Sequence, residues 1–199
     1  MTRAIAPFCV AALLAVSAPA VQDPAGDAAR GKQAFQELKC VTCHSVNGSG
    51  GRAAPDLGRH RDESYTPGAM ASAMWNHATA MWQAMNKAGV ARPQLSVQQA
   101  ADLYAFFAGV TRPEKAGEAA RGQQIYQAKF CALCHDDSYS GAPSLKPLAG
   151  HVSSFSMVAS LWQHGGGMLA RMVAKNRAWQ SLTPEEMIHL IAYLNANKP

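Results

Sequence analysis

Two short stretches hold the residues best spaced for chemistry: Cys40-Val41-Thr42-Cys43-His44 and Cys131-Ala132-Leu133-Cys134-His135. Each reads C-x-x-C-H. Thiols separated by two residues can each form a thioether with one of the two vinyl groups of a haem. The histidine that follows is then held beneath the iron as its proximal ligand. One such stretch also fits half of a zinc site or a dithiol redox pair. Two copies ninety-one residues apart, in matching surroundings, favour covalent haem c at both. The expected cofactors are therefore two haem c groups, bound through Cys40, Cys43, His44, Cys131, Cys134 and His135.

The rest of the cysteine inventory agrees. Of five cysteines the fifth, Cys9, lies in an apolar run from Ala4 to Val16 that ends before Ala18-Pro19-Ala20. Arg3, that run and the small-x-small triplet read as a secretory signal peptide over residues 1–20, cleaved near Ala20. All other cysteines sit in the two motifs, so no pair remains for a structural disulfide and no thiol for a nucleophile. Export with covalent haem points to a periplasm. After cleavage no stretch approaches the roughly twenty apolar residues of a membrane span.

The net charge of +5 is spread evenly. Residues 21–112 carry nine Lys/Arg against seven Asp/Glu, and residues 113–199 eight against six. No basic block exists, and haem propionates offset the surplus, so nucleic acid is not an expected partner.

The elements that must position the motifs are written twice. Arg30 to Lys39 and Arg121 to Phe130 have helical spacing, each with a glycine (Gly31, Gly122) one turn before an aromatic (Phe35, Tyr126). A helical glycine costs about 1 kcal/mol against alanine, so its recurrence suggests close approach of a second helix. Candidates for that helix follow the caps Ser96-Val97-Gln98-Gln99 and Thr183-Pro184-Glu185-Glu186. Between lie Met70 to His77 and Met157 to His164, matched at an offset of eighty-seven. No strand alternation is visible, and the fold class is all-α. The expected boundaries are 21–29 flexible leader, 30–109 first domain, 110–118 linker and 119–199 second domain.

From Arg30 to Leu194 the chain resembles a class I cytochrome c present in tandem, like the two-haem cytochromes c of bacterial periplasms. The resemblance implies two small helical bundles, each wrapped around one haem, with crossed terminal helices, histidine–methionine ligation and electron transfer. It also implies a helix break before the ligand methionine. Trp75 to Met81 resembles that stretch, and Trp162-Gln163-His164-Gly165-Gly166-Gly167-Met168 does so more closely, with three glycines. Met81 and Met168 are accordingly the sixth-ligand candidates, Met85 and Met172 the alternates. His77 and His164, which also recur, come behind them; helix capping or a propionate contact suits them better. Methionine ligation raises the potential, as suits an electron carrier.

Smaller expectations follow. Trp75 and Trp162 should pack on the porphyrin with their indole N–H near a propionate. His60 and His151 should face the haem edge or solvent, and His189, without a counterpart, should lie at the surface. The proximal N–H should meet a proline carbonyl, Pro55 in the first domain and Pro143 or Pro147 in the second. The function implied is a periplasmic dihaem carrier of single electrons, not an enzyme. Its donor would be a dehydrogenase or quinol-oxidising complex and its acceptor an oxidase or reductase. Alternatives are a haem subunit of, or itself, a small peroxidase-like or thiosulfate-oxidising enzyme, and a subunit docked peripherally on a membrane complex.

Overall fold

A computed structural model describes residues 23–59, 64–110, 112–138, 140–148 and 151–196. The expected signal peptide and His60 lie outside the described residues. Seven helices are described: α1 (Ala28–Glu37), α2 (Pro67–Lys87), α3 (Val97–Ala108), α4 (Ala119–Ala128), α5 (Ala132–His135), α6 (Ser154–Ala174) and α7 (Pro184–Ala196). A two-residue ladder joins β1 (Ser45–Val46) to β2 (Ser49–Gly50) around Asn47-Gly48. Both turn residues have positive φ, 52° and 81°, the conformation that an Asn-Gly hairpin favours. The fold is all-α apart from this hairpin.

Each half is built on a crossed pair of helices, α1 with α3 and α4 with α7. The two helical glycines sit at the crossings. A Cβ on Gly31 would lie 2.0 Å from the Asp102 carbonyl oxygen, and one on Gly122 would lie 1.9 Å from that of His189. Beside the first crossing Phe35 packs between Phe106 and Phe107, with ring centroids 5.8 and 5.9 Å away. Beside the second, Tyr126 packs on Tyr193 at 5.2 Å. The caps form as their spacing predicts: Ser96 and Gln99 exchange bonds at the start of α3, and Thr183 and Glu186 at the start of α7.

The leader is docked rather than free over its described part. The Asp27 N–H donates to Asp102 Oδ1 at 2.8 Å, and Gln98 Nε2 donates to the Ala25 carbonyl at 2.9 Å. Asp102 is 3 % exposed and also holds Arg30. Burial pushes its carboxyl up, but Arg30, the Asp27 amide and Gln98 together carry it below the ordinary carboxylate value. In the second half His189 takes this place, its Nδ1 accepting the Glu118 N–H at 2.8 Å. His189 is 6 % exposed, so the surface position expected for it is wrong, and its counterpart is Asp102. Aspartate and imidazole do one job here, which a comparison of residue types misses.

The two halves pack through their middle helices in a reciprocal way. α2 lies against α6 and α7, and α6 lies against α2 and α3. Asn76 bonds to Leu182, and Gln163 bonds to Leu95; both members of each pair are offset by eighty-seven. Equivalent contacts made in both directions are what a pseudo-twofold relation gives.

Neither middle helix breaks where the resemblance implied. α2 and α6 each run uninterrupted for 21 residues. The glycines of α6 serve close approach instead. A Cβ on Gly165 would lie 2.5 Å from Trp82 Cη2, and one on Gly166 would lie 2.1 Å from Arg92 Nη1. Arg92 in turn sits over the Trp82 ring at 5.2 Å. All four tryptophans of the chain meet at this seam. Ring centroids are 4.8 Å apart for Trp75–Trp179, 5.9 Å for Trp82–Trp179 and 6.1 Å for Trp82–Trp162.

Candidate haem sites

Each motif is entered through a left-handed residue at the same place, Lys39 and Phe130, both with φ 63°. This reversal turns the chain off α1 or α4 into a single tight turn. The His44 N–H then bonds to the Cys40 carbonyl at 2.9 Å, and the His135 N–H to that of Cys131 at 3.0 Å. An i to i+4 turn sets the first cysteine and the histidine on one face.

The four motif cysteines are half-buried free thiols. Burial pushes Cys40 and Cys131 up to about 11, opposite to the lowered values of redox-active dithiols. Among the described residues no three His, Cys, Asp or Glu converge on a point that could hold a lone metal ion. The raised first thiols run against a redox-active pair, and a zinc reading finds no convergent ligand set among the described residues.

The histidine rings are aimed. His44 Nδ1 lies 2.9 Å from the Pro55 carbonyl, and His135 Nδ1 lies 2.8 Å from that of Pro143. A carbonyl only accepts, so Nδ1 carries the proton and Nε2 keeps its lone pair for a metal. The open choice in the second half falls on Pro143, not Pro147.

Asp56, which sequence reasoning passed over, holds the first wrapping loop together. Its carboxylate accepts from Ser45 Oγ at 2.8 Å and from the N–H groups of Asn47 at 3.0 Å, Gly48 at 2.6 Å and Gly58 at 2.8 Å. The Gly48 amide foremost, then Ser45 and the other amides, lower its pKa to about 2. The bracket fixes the residue next to Pro55. In the second loop Ser144 follows the proline, and Ser140 ties the turn instead, with its Oγ donating to the Cys134 and Asp137 carbonyls. The visible signal was Asn47-Gly48, a hairpin dipeptide with an acid nearby.

The cytochrome c family model matches residues 28–111 and again residues 119–198. The chain belongs to the cytochrome c family. Cytochrome c domains bind haem covalently and transfer electrons, and this chain carries two of them in tandem. No curated protein and no solved structure matches it.

The sixth-ligand candidates of these cytochrome c domains lie on α2 and α6. Met81 and Met85 are one turn apart on α2, both partly exposed, as are Met168 and Met172 on α6. With no break before either methionine, the helices do not distinguish Met81 from Met85 or Met168 from Met172. What remains is a methionine face on each helix, set opposite the amide that bonds to the other half. Met85 is nine residues from Asn76 and Met172 nine from Gln163, about two and a half turns, hence the opposite side. α2 packs chiefly on α6 and α7 rather than on the α1–α3 pair of its own half. Two thiols, an imidazole with Nε2 left free and a methionine pair in each half are the groups that haem c needs, so the residues present fit it.

His77 and His164 are exposed, and His77 Nδ1 turns back to the Ala73 carbonyl of its own helix at 2.8 Å. His151 is exposed as well. Trp75 does not hold its N–H for a propionate, because it donates to the Gln180 carbonyl at 2.6 Å. Trp162 is buried against Trp82, whose own Nε1 is buried with no partner among the described residues. No helix among the described residues is long and apolar enough to cross a membrane.

Proposed function

We propose that the chain is a periplasmic dihaem cytochrome c that carries single electrons between redox proteins and transforms no substrate itself. One observation carries this reading. In both copies the motif histidine gives its Nδ1 proton to a proline carbonyl of the wrapping loop and keeps Nε2 for iron. Cys40 with Cys43 and Cys131 with Cys134 tether one haem each, and His44 and His135 bind the two irons. Met81 or Met85, one turn apart, supplies the sixth ligand of the first iron, and Met168 or Met172 that of the second. A bound haem supplies a ferric/ferrous couple, and thioether ligation favours its reduced form. The protein holds both axial groups on packed elements, so little needs to move when the charge changes. The donor is a dehydrogenase or quinol-oxidising complex and the acceptor an oxidase or reductase, met in the periplasm after loss of residues 1–20.

The test is a haem count with an optical spectrum of the oxidised holoprotein. Two haems per chain and the weak far-red band of methionine sulfur on ferric haem are expected. Loss of about half of that band in Met81→Ala and in Met168→Ala assigns the ligands to those two residues. A band untouched by both moves the ligands to Met85 and Met172. No band in the parent protein rejects methionine ligation, and one haem per chain rejects the dihaem reading.

A further inference from the structure

The seam face of α2 is held by groups that belong to the other half of the molecule. Asn76 Nδ2 donates to the Leu182 carbonyl at 2.8 Å, and Asn76 Oδ1 accepts the Leu182 N–H at 2.9 Å. Ser72 Oγ donates to the same carbonyl at 2.6 Å. Trp75 Nε1 donates to the Gln180 carbonyl at 2.6 Å, and Trp179 Nε1 returns a bond to the Trp75 carbonyl at 3.0 Å. Leu182 and Ser72 are 2 % and 3 % exposed, so this network is shielded from water. The reciprocal face of α6 has Gln163 Nε2 to the Leu95 carbonyl, at 3.4 Å.

A side-chain amide paired with both the N–H and the C=O of one residue fixes direction as well as distance. Apolar packing alone leaves a helix free to roll by small amounts. Ser72 is nine residues before Met81, and Asn76 nine before Met85, so the groups that fix the roll stand directly behind the two methionines.

We propose that Asn76 is a positioning residue for the sixth ligand of the first haem, acting across the boundary between the two halves. Its pairing with Leu182 sets the roll of α2, and with it the depth at which a methionine sulfur is offered to the iron. Gln163, with one long bond, does not do this for α6, so the two sixth ligands are held with different firmness. The inference rests on the methionine-ligated dihaem reading.

The test uses the full-length holoprotein and Asn76→Leu, Asn76→Asp and Gln163→Leu. In the reduced protein the proton NMR signal of an iron-bound methionine methyl is displaced far upfield by the haem ring. The first-half signal is the one abolished by Met81→Ala or Met85→Ala. Asn76→Leu should shift or broaden that signal and lower the potential of the same haem, leaving the other haem as in the parent. Asn76→Asp keeps the acceptor for the Leu182 N–H and should give an intermediate result, and Gln163→Leu should change neither signal. Hydrogen exchange at amides 74–85 should quicken about tenfold in Asn76→Leu, with α1 and α3 unaffected. Parent-like signals and parent-like exchange in Asn76→Leu overturn the proposal. So does an equal change at both haems with exchange raised everywhere. If the parent shows no upfield methyl, methionine ligation fails instead, and the exchange comparison alone decides whether Asn76 fixes α2.

Discussion

Asp56 ties four donors to one carboxylate and so fixes the carbonyl that orients His44. Its folded pKa is depressed, so the stability it contributes is complete above about pH 4 and lost as the pH falls toward 2. Asn offers one acceptor oxygen and no charge. Asp56→Asn should therefore unfold at a lower temperature than the parent at pH 5, with the difference closing as the pH approaches 2. A difference that stays constant between pH 5 and pH 2 would remove the charge from this account. The residues that bear the proposed chemistry were legible from spacing alone, because a covalent tether demands fixed residue types at fixed intervals. Asp56 was not, since a loop bracket can be built from many donors and the second half builds it from Ser140. The equivalence of Asp102 and His189 was hidden for the same reason.

At the scale of elements, the crossings and the continuous middle helices make separate claims. Gly31 and Gly122 were read correctly as points of close approach, because only contact explains a recurring glycine inside a helix. The glycines of α6 were misread as a break. Sequence cannot distinguish glycine that ends a helix from glycine that admits a neighbour, and Trp82 and Arg92 come from another half of the chain. Substitutions distinguish them. Gly31→Ala forces a methyl onto the Asp102 carbonyl, and Gly165→Ala forces one onto the Trp82 ring. Each should cost about 1–3 kcal/mol in urea unfolding. Gly167 faces only Arg171 Nη1, at 3.5 Å, so Gly167→Ala in a continuous helix should add up to about 1 kcal/mol. A loss at Gly167 would restore the break.

For the whole molecule, the order of the two halves was legible and their mutual arrangement was not. The repeat states that one unit occurs twice; it does not state that each middle helix leans on the other unit. That follows from Asn76 with Leu182 and Gln163 with Leu95, pairs a hundred and more and nearly seventy residues apart, invisible to any local pattern. With α2 anchored in the second half and α6 against the first, neither half can open without disturbing the other. Unfolding should therefore be a single transition. Helical circular dichroism and haem absorbance should share one midpoint in guanidinium, and two separated midpoints would show independent halves.

The gathering of every tryptophan at the seam gives the molecule a built-in optical gauge. The chain has no other indole, so light absorbed by tryptophan and not by its five tyrosines excites this one junction, and the nearness of the two proposed haems sets how strongly its emission is quenched. A redox partner that pries the halves apart or clamps them would register as a change of colour or brightness at a single place, with no label attached.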